Sequence, residues 1–380
     1  MTPAARLSAA IEILDRWLAG MPVEKALVNW ARASRFAGSG DRNAVRDLVF
    51  DAVRCRRSHA ALGGGETGRG LVLGGVRARG DDPAALFTGV GHAPAAITED
   101  DAGTAPSGNA ALDCPDWLAD ELRQSLGDRF APVMEALRHR APVFLRATRP
   151  DAARSLAQDG IATVPHPLAA SALQVTDGAR KIQTSATYLS GGVELQDVAS
   201  QAVIADLPLA DGQRVLDFCA GGGGKALAMA ARARVRIDAH DAAPGRMADL
   251  AARAKRAKVT IGQVDTATAL AGTYDLVLAD VPCSGSGSWR RAPEGKWALT
   301  ADRLTDLVAI QAGILDQVAG VVRAGGHLAY VTCSVLMREN AGQIAAFQAR
   351  HSGWDLVHQR SLTPLDGGDG FHLSSLRKQG

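Results

Sequence analysis

The chain has 380 residues, more than one hydrophobic core ordinarily organises, so we expect two or three domains. With 47% hydrophobic residues, 22% charged residues and a net charge of +2, its composition is that of a globular protein, and its five scattered cysteines exclude a disulfide framework or a paired metal site. No apolar run is long enough to span a bilayer and no signal peptide is evident, so we expect a monomeric cytoplasmic protein without membrane contact.

The N-terminal residues have the pattern of a small all-helical domain, which we assign to residues 1–110. Apolar residues at three-to-four spacing define one face of its first helix: Leu7, Ile11, Leu14 and Leu18. Asp41 is expected to cap a further helix, along which arginines follow: Arg42, Arg46, Arg54, Arg56 and Arg57. This basic segment either attracts phosphates or is a solvated helix face, and charge alone favours neither. Residues 63–110 are rich in Gly, Pro and Asp and predict short helices, loops and a linker.

Residues 113–200 predict a small α/β unit. Two helical stretches, PDWLADELRQSLG and FAPVMEALRH, lead into a strand with the sequence APVFLRA. A helix and two short strands, near 161–165 and 172–175, follow it.

From residue 201 to 380, strand and helix patterns alternate. The strands are apolar runs bounded by Gly, Pro or charge: RVLDFCA, VRIDAHD, VTIGQVD, YDLVLADV and HLAYVTCS. Buried parallel strands have this continuous apolar character, so the pattern predicts a doubly wound α/β domain. Two late strands, near 354–360 and 370–376, predict an antiparallel hairpin at one edge of the sheet.

A glycine-rich loop follows the first strand of this domain, in the segment DFCAGGGGK at 217–225. Glycines let the backbone approach a ligand closely, and the helix that begins after the loop offers free N–H groups. The next three strands end at Asp241, Asp265 and Asp280, so acids stand at the carboxyl ends of four successive strands. In open α/β sheets ligands bind at this edge, where Asp241 can accept from ribose hydroxyls and Asp265 can reach an adenine. The loop alone suits either a dinucleotide or S-adenosylmethionine. A nicotinamide-dependent enzyme would have spaced glycines in this loop and a second mononucleotide-binding unit later in the domain, and the sequence has neither.

Two cysteines lie at the ends of neighbouring strands, Cys283 in ADVPCSGSG and Cys333 in YVTCSVLMREN. A buried cysteine is more often an inert apolar residue than a nucleophile, and this interpretation serves for Cys55 and Cys114. A thiolate that adds to carbon 6 of a pyrimidine makes carbon 5 nucleophilic enough to attack a sulfonium methyl group. Asp280 is placed to stabilise such an adduct through a hydrogen bond near ring N3. The residues alone do not decide which of the two cysteines is the nucleophile.

Five segments in order resemble the signature segments of the Sun-type RNA cytosine-C5 methyltransferases, over roughly residues 113–380. They are YLSGGVELQDVASQ (188–201), DFCAGGGGK, ADVPCSGSG, RRAPEGKW (290–297) and VTCS. The resemblance implies a class I, Rossmann-like methyltransferase domain with S-adenosyl-L-methionine as cofactor and an RNA substrate, with 16S rRNA favoured over tRNA. More weakly, GSGDRNAVRDLVFDAVR (38–54) is similar to antitermination-factor-like (NusB-like) RNA-binding domains, and residues 113–200 resemble the family's RNA-recognition-like unit.

The resemblance also implies roles for individual residues. Cys333 would be the nucleophile, Cys283 would assist release of the methylated RNA, and Asp280 would hold the target cytosine. The implied cofactor pocket comprises Cys219, Ala220, Gly221, Gly222, Gly223, Gly224, Lys225, Asp241, Arg246, Asp265 and Asp280. A neighbouring segment would pack beside the site through Gln196, Asp197 and Ser200. The family usually has Ala-Pro-Gly-Gly-Lys in the loop; four glycines before Lys225 make the unbound loop more flexible here.

The target base must be unpaired or extruded, because carbon 6 is approached from the face of the ring. We therefore expect a basic channel in which Arg290, Arg291 and Lys296 hold phosphates. Trp289 or Trp297 would stack on a base or pack in a core. Alternative interpretations are a non-catalytic RNA-binding or ribosome-assembly factor, a tRNA cytosine-C5 methyltransferase, and an amino-group methyltransferase. Amino-group methyltransferases typically have an aromatic residue in the segment after the fourth strand, and the corresponding segment here, DVPC, has none.

Overall fold

The computed structural model describes residues 1–380, in which eighteen α-helices and eleven β-strands alternate with short 3-10 turns. The α-helices are α1 (Pro3–Leu18), α2 (Val23–Ala33), α3 (Ser39–Arg54), α4 (Arg56–Gly63), α5 (Gly68–Ala78), α6 (Pro83–Leu86), α7 (Gly108–Ala111), α8 (Asp116–Leu126), α9 (Phe130–Leu137), α10 (Ala152–Gln158), α11 (Ala186–Leu189), α12 (Val198–Ala205), α13 (Gly224–Arg232), α14 (Leu250–Ala257), α15 (Thr266–Ala271), α16 (Glu294–Ala298), α17 (Ala301–Ala319) and α18 (Ala341–Arg350). The strands are β1 (Val143–Ala147), β2 (Ala162–Pro165), β3 (Ala172–Asp177), β4 (Val193–Leu195), β5 (Arg214–Asp217), β6 (Arg236–Ala239), β7 (Ile261–Gln263), β8 (Tyr274–Asp280), β9 (Val322–Thr332), β10 (Trp354–Leu362) and β11 (Phe371–Lys378). The 3-10 turns are Glu99–Asp101, Gly127–Arg129, Ala179–Thr184, Pro244–Met247, Met337–Glu339 and Pro364–Asp366.

The chain forms two compact units, one of residues 1–140 with 289–299 and one of residues 141–288 with 300–380. The first unit is helical, as predicted. Its core comprises residues from helices α1, α2, α3 and α5, including Ile13, Leu14, Trp30, Val49 and Leu71. The predicted three-domain division stays a prediction. Compact packing instead groups α8 and α9 with the N-terminal helices. Arg57 pairs with Asp116, and the carboxylate of Asp113 accepts from the backbone N–H of Arg57 and of Ser58.

Helices α4 and α5 approach each other so closely that only glycine fits at the contact. A Cβ added at Gly74 would lie 1.9 Å from the carbonyl oxygen of His59, and one at Gly63 would lie 1.7 Å from the carbonyl oxygen of Gly70. Glycine lowers helix propensity, which is why the sequence predicts only short helices or loops over 63–110. The eleven-residue helix α5 forms nevertheless, since most of its residues, Leu71, Leu73 and Val76 among them, are buried.

We expect Gly74→Ala to destabilise the first unit by about 1–3 kcal/mol, because backbone atoms rather than flexible side chains must move to admit the methyl group. Denaturant unfolding measures the change. Gly40→Ala is the matched control: nothing lies within 4 Å of a Cβ there, so the helix should gain up to about 1 kcal/mol. Equal stabilities for the two variants would contradict the close contact.

Two predicted features of the basic segment are wrong, the cap at Asp41 and the outward position of Arg54. Helix α3 is capped by Gly38, while Asp41 lies within its first turn and pairs with the amino terminus and with Arg6. Arg54 is only 6% exposed; its Nε donates to the carbonyl of Arg290, so it lies inside the unit and cannot face RNA. The charges of Arg46, Arg56 and Arg57 are paired with carboxylates, respectively those of Glu24, Glu66 and Asp116.

The segment 289–299 also differs from the predicted phosphate-binding role. Lys296 is 1% exposed and its Nζ donates to the carbonyl of Arg54, at 3.0 Å. Burial lowers the pKa of Lys296 to about 8. Trp289 and Arg290 are buried, and the indole of Trp297 donates to the carbonyl of Val53 at 2.6 Å. Lys296 and Arg290 therefore anchor the segment within the first unit, and only Arg291 remains exposed as predicted.

The second unit contains two sheets. The smaller is antiparallel, in the order β2-β3-β1-β4. The predicted strands near 143, 162 and 172 are present. The sequence does not predict β4, because a three-residue strand within VELQD has too little periodicity to detect.

The larger sheet has seven strands in the order β10-β11-β9-β8-β5-β6-β7. Strands β7, β6, β5, β8 and β9 are parallel neighbours, and β10 and β11 form the predicted antiparallel hairpin at one edge. Successive side chains of its central strands alternate between two cores. Leu276 and Leu278 pack with α12 and α13, whereas Val277 packs with α17 and α18. Burial on both faces explains the continuous apolar runs, and the predicted fold class is confirmed. Across all eighteen helices, none has the length and apolar character that a membrane crossing requires.

Candidate active site

Four parallel strands end at the same edge of the large sheet and present polar side chains there. Asp217 is the last residue of β5, Asp280 the last of β8, and Cys333 directly follows β9. Asp241 comes two residues after β6. Strands β8 and β9 are in parallel register with Asp280 opposite Val331, which brings the segments after them side by side.

The glycine loop between β5 and α13 is folded around the carboxylate of Asp241. That side chain is buried and accepts from the backbone N–H of Gly221 and of Ala243, both at 2.9 Å. Gly221 has a φ of +50° and Gly223 a φ of +76°, a region that side-chain-bearing residues rarely adopt. The four glycines are therefore compatible with a tight turn that leads directly into the N-terminus of α13.

Arg253 on α14 holds this loop from the outside. Its Nη1 donates to the carbonyl of Gly222, while its Nε and Nη2 donate to the carboxylate of Glu194 at 3.1 and 3.0 Å. Glu194 lies on β4, is 4% exposed and also pairs with Arg256 at 2.8 Å. A guanidinium fixed by a buried carboxylate thus restrains the most flexible part of the loop.

We expect Arg253→Ala to increase hydrogen exchange of the backbone amides of residues 221–225, because the loop loses its outer restraint. Gly222 lacks a positive φ, and Arg253 is the only group near its Cβ position. Gly222→Pro in the Arg253→Ala protein should therefore reverse much of the increase by stiffening the chain.

Lys255→Ala is the matched control for this measurement, since it removes an exposed cation from the same helix. Unchanged exchange in Arg253→Ala, or an equal increase in Lys255→Ala, would contradict the clamp.

Asp217 is completely buried and both of its carboxylate oxygens lack a hydrogen-bond partner. Burial, together with the Asp280 carboxylate, raises the pKa of Asp217 to about 7, against the opposing effects of the Lys225 cation and of the backbone N–H of Ala226. A buried polar group without a partner is rare in folded proteins, and it is typical of a site that receives a ligand or water.

Lys225 and Asp280 form an ion pair in the crevice, with Nζ and Oδ2 2.6 Å apart. Burial lowers the pKa of Lys225, but the Asp280 carboxylate outweighs it and the net effect is a raised pKa. Lys225 therefore remains a cation whose charge faces both Asp280 and Cys333.

The two cysteines at the strand ends are in direct contact, with their sulfur atoms 3.4 Å apart. Both are partly exposed, and Lys225 and Ser288 also act on Cys333. The hydrogen bond from Cys283 lowers the pKa of Cys333, with help from Lys225 and Ser288, against the opposing effects of burial and Asp280. The pKa of Cys283 is raised well above its usual value by the same bond, by burial, by the charge of Cys333 and, to a smaller extent, by the carboxylate of Glu339. Cys333 is thus the more readily ionised thiol of the pair.

A buried carboxylate behind the cysteines connects the segments that carry them. Glu339 is 0% exposed and accepts from the backbone N–H of Ser284 at 2.8 Å and from Nε2 of Gln311 at 3.0 Å. It also accepts from the hydroxyls of Ser284 and Ser334, the residues that follow the two cysteines. One side chain therefore fixes both cysteine-bearing turns.

The remaining predicted site residues lie around this crevice at different depths. Arg246 is exposed and pairs with Asp241 at 3.3 Å. Asp265 is exposed and caps α15 by accepting from the N–H of Thr268. Cys219 and Ala220 lead into the loop, and burial raises the pKa of the Cys219 thiol.

The segment before α12 contacts the loop through one side chain. Nε2 of Gln196 lies 3.4 Å from the carbonyl oxygen of Gly224 and 3.2 Å from the hydroxyl of Ser200. Asp197 caps α12 and accepts from the N–H of Asp369. Gln196 thus contacts the loop directly and Ser200 supports it, whereas Asp197 is held at the start of α12.

Sequence reasoning missed three participants, Glu194, Arg253 and Glu339, and it counted Asp217 among the strand-end acids without giving it a role. Asp217 carried a signal, since it is the acid with which the glycine segment begins. Glu339 follows Cys333 by six residues, but neither its burial nor its serine partners could be read from that spacing.

Two family models match the second half of the chain and part of the first. Residues 204–374 match the family described as 16S rRNA methyltransferase RsmB/F. Residues 114–181 match the ferredoxin-like domain described as Methyltr_RsmF/B-like.

Curated relatives carry the same description. The Ribosomal RNA small subunit methyltransferase B of Erwinia tasmaniensis is 33% identical over 285 residues, which cover 70% of this chain and 66% of that protein. The protein of that name from Klebsiella pneumoniae is 32% identical over the same shares. The matched part of the chain thus spans just under two thirds of the length of these relatives.

Solved structures share the fold. The structure of PH0851 has a TM-score of 0.78 at 20% identity and covers 100% of this chain and 99% of its own. NSun6 from Pyrococcus horikoshii, solved with SFG, has a TM-score of 0.63 at 16% identity and covers 70% and 98%. At these identities the likeness shows the architecture.

Proposed function

From the premise that this chain belongs to the family described as 16S rRNA methyltransferase RsmB/F, we propose that it methylates carbon 5 of a cytosine in RNA. The observation that carries the proposal is the contact between the sulfurs of Cys333 and Cys283, at 3.4 Å, beside Asp280. An RNA methyltransferase in general does not need two thiols at one position, whereas carbon-5 chemistry uses a thiolate directly.

S-adenosyl-L-methionine is the proposed methyl donor, and the crevice has the features that such a ligand requires. The glycine loop leaves room for close approach, Asp241 is fixed at the end of β6, and Asp217 is buried without a partner. The carboxylates suit the ligand's amino and hydroxyl groups, and the N-terminus of α13 suits its carboxylate. When bound, it supplies an electrophilic methyl group on a cationic sulfur.

The first step of the reaction is addition of the Cys333 thiolate to carbon 6 of the cytosine. A bond forms between sulfur and carbon 6, and the electron pair of the ring double bond becomes available at carbon 5. Carbon 5 then bonds to the methyl group as the bond between that methyl group and the donor's sulfur breaks, and the electron pair of the broken bond stays on that sulfur. Lys225 and the Cys283 hydrogen bond favour the thiolate form of Cys333 that this step requires.

The second step is release. Carbon 5 loses its proton to a base such as water, the ring double bond forms again, and the electron pair of the carbon–sulfur bond returns to Cys333. The S–H of Cys283 can donate to the sulfur that regains this charge, across the 3.4 Å that separates the two sulfur atoms. Cys283 therefore lowers the barrier for expulsion of the nucleophile.

Asp280 is proposed to hold the cytosine through a hydrogen bond near ring N3. Its pairing with Lys225 at 2.6 Å fixes the carboxylate in the crevice before the base arrives. Because the thiol attacks the face of the ring, the substrate is a single-stranded or flipped nucleotide. The description of the family favours 16S rRNA as the substrate over tRNA.

The proposal is tested by transfer of a labelled methyl group from S-adenosylmethionine to 16S rRNA that lacks the modification, with unmodified tRNA in a parallel reaction. We expect label in 16S rRNA, recovered as 5-methylcytosine after digestion to nucleosides. Label in another nucleoside would overturn the carbon-5 chemistry. Label in tRNA alone would change the substrate, and an absence of transfer to either RNA would favour a non-catalytic factor.

Two cysteine variants should fail at different steps. Cys333→Ala should reduce transfer by several orders of magnitude without forming an adduct, because no thiol can add to carbon 6. Cys283→Ala should accumulate a covalent protein–RNA species, because the departing thiolate loses its donor; denaturing electrophoresis detects it as a shifted band.

Cys55→Ala is the matched control for both variants. Its thiol is buried and burial raises its pKa to about 11, so it should keep transfer and form no stable adduct. Full turnover in Cys333→Ala would refute the nucleophile, and the absence of a shifted band in Cys283→Ala would refute the release role.

A further inference from the structure

Two thiols in contact can share one negative charge in either of two ways. Geometry within the pair is symmetrical, since either sulfur can donate to the other across 3.4 Å. Only the groups around the pair can make the two arrangements unequal, and such groups lie on both sides of it.

The surroundings of Cys333 contain a cation and a hydroxyl donor. Lys225 on α13 and Ser288 act to stabilise its thiolate, while the carboxylate of Asp280 opposes it. Since Lys225 and Asp280 are themselves paired at 2.6 Å, their charges largely offset each other, so this side leaves only a modest preference.

The surroundings of Cys283 contain an anion without a cationic partner. Glu339 is bound by the neutral donors of Ser284, Ser334 and Gln311, so its negative charge is stabilised but not neutralised. Tyr330 also packs here; its hydroxyl donates to the backbone carbonyl of Glu339, and burial raises its pKa well above the usual value, so it remains neutral. The carboxylate is held more extensively on the Cys283 side, since it accepts from both the backbone N–H and the hydroxyl of Ser284, which follows Cys283, but only from the hydroxyl of Ser334, which follows Cys333. A buried anion held on one side of the pair disfavours ionisation of the thiol on that side.

We propose that Glu339 is the positioning residue that assigns the two cysteines their different roles. Its carboxylate keeps Cys283 in the S–H form, and Cys283 in turn donates to Cys333, which carries the thiolate. Glu339 acts through Cys283 and contacts no substrate. This inference rests on the proposed function for its biological meaning, but the protonation order of the pair is a property of the protein alone.

The test measures thiol reactivity without cofactor or RNA. Limiting iodoacetamide is applied to the full-length protein between pH 6 and 10, and the initial alkylation rate of each cysteine is measured by mass spectrometry of its peptide. Wild-type protein should react first at Cys333. In Glu339→Gln, the ratio of Cys283 to Cys333 alkylation at pH 8 should rise by about tenfold, the change that one pKa unit produces.

Two control variants separate the effect of charge from that of structure. Ser334→Ala removes one hydrogen bond to Glu339 and keeps the carboxylate, so the ratio should stay near that of wild type. Glu194→Gln neutralises another buried carboxylate of the same unit, whose partners are Arg253 and Arg256, and should also leave the ratio unchanged. If Glu339→Gln does not fold, Glu339→Asp replaces it, because aspartate keeps the charge but withdraws it by one methylene. The ratio of Cys283 to Cys333 alkylation should then lie between that of wild type and the value expected for Glu339→Gln.

An unchanged ratio in folded Glu339→Gln, or an equal rise in Ser334→Ala, would overturn the proposal. With RNA and cofactor, Glu339→Gln should also accumulate part of the covalent species seen in Cys283→Ala, since an ionised Cys283 cannot donate. If the enzyme transferred no methyl group at all, the proposed function would fail while the alkylation ratio still tested this assignment.

Discussion

The parallel pairing of β8 with β9 is the constraint on which the candidate site depends. Because Asp280 and Val331 are register partners, the two segments that follow leave the sheet side by side at the same height. Additional backbone bonds continue this alignment beyond the strands, from Val281 to Val331 and from Gly287 to Cys333. A displacement of one strand by a single residue would reverse the direction of its side chains and separate the two sulfurs.

Around that pairing, the site is organised by charges in an interior that water reaches only partly. Lys225 and Asp280 form one pair, Arg253 and Arg256 neutralise Glu194, and Glu339 is satisfied by neutral donors. Carboxylates paired with cations and carboxylates bound by neutral donors affect their surroundings differently. A paired carboxylate fixes backbone and side chains, whereas a carboxylate with neutral donors keeps its field and shifts the ionisation of its neighbours.

The loop at the end of β5 shows how tertiary contacts compensate for a flexible sequence. Four consecutive glycines leave the unbound chain many conformations. In the structure, Asp241 holds the loop from inside through the N–H of Gly221, and Arg253 holds it from outside through the carbonyl of Gly222. Since Arg253 is itself fixed by Glu194 on β4, the small antiparallel sheet contributes directly to the shape of the loop.

The sequence by itself determined the features that depend on local pattern. The apolar runs fixed the strands of the doubly wound sheet, the late hairpin followed from two adjacent β patterns, and Cys283, Cys333 and Asp280 were identified because strand ends bear functional side chains. The tertiary structure alone decided the rest. Helix α5 forms despite its glycines because those glycines permit close packing, and Lys296 and Arg54 turn inward because each satisfies a carbonyl of the other's segment. The difference in pKa between the two thiols likewise depends on Glu339, Lys225 and Ser288. Such electrostatic effects depend on distances and burial in the folded protein, which the spacing of residues along the chain does not reveal.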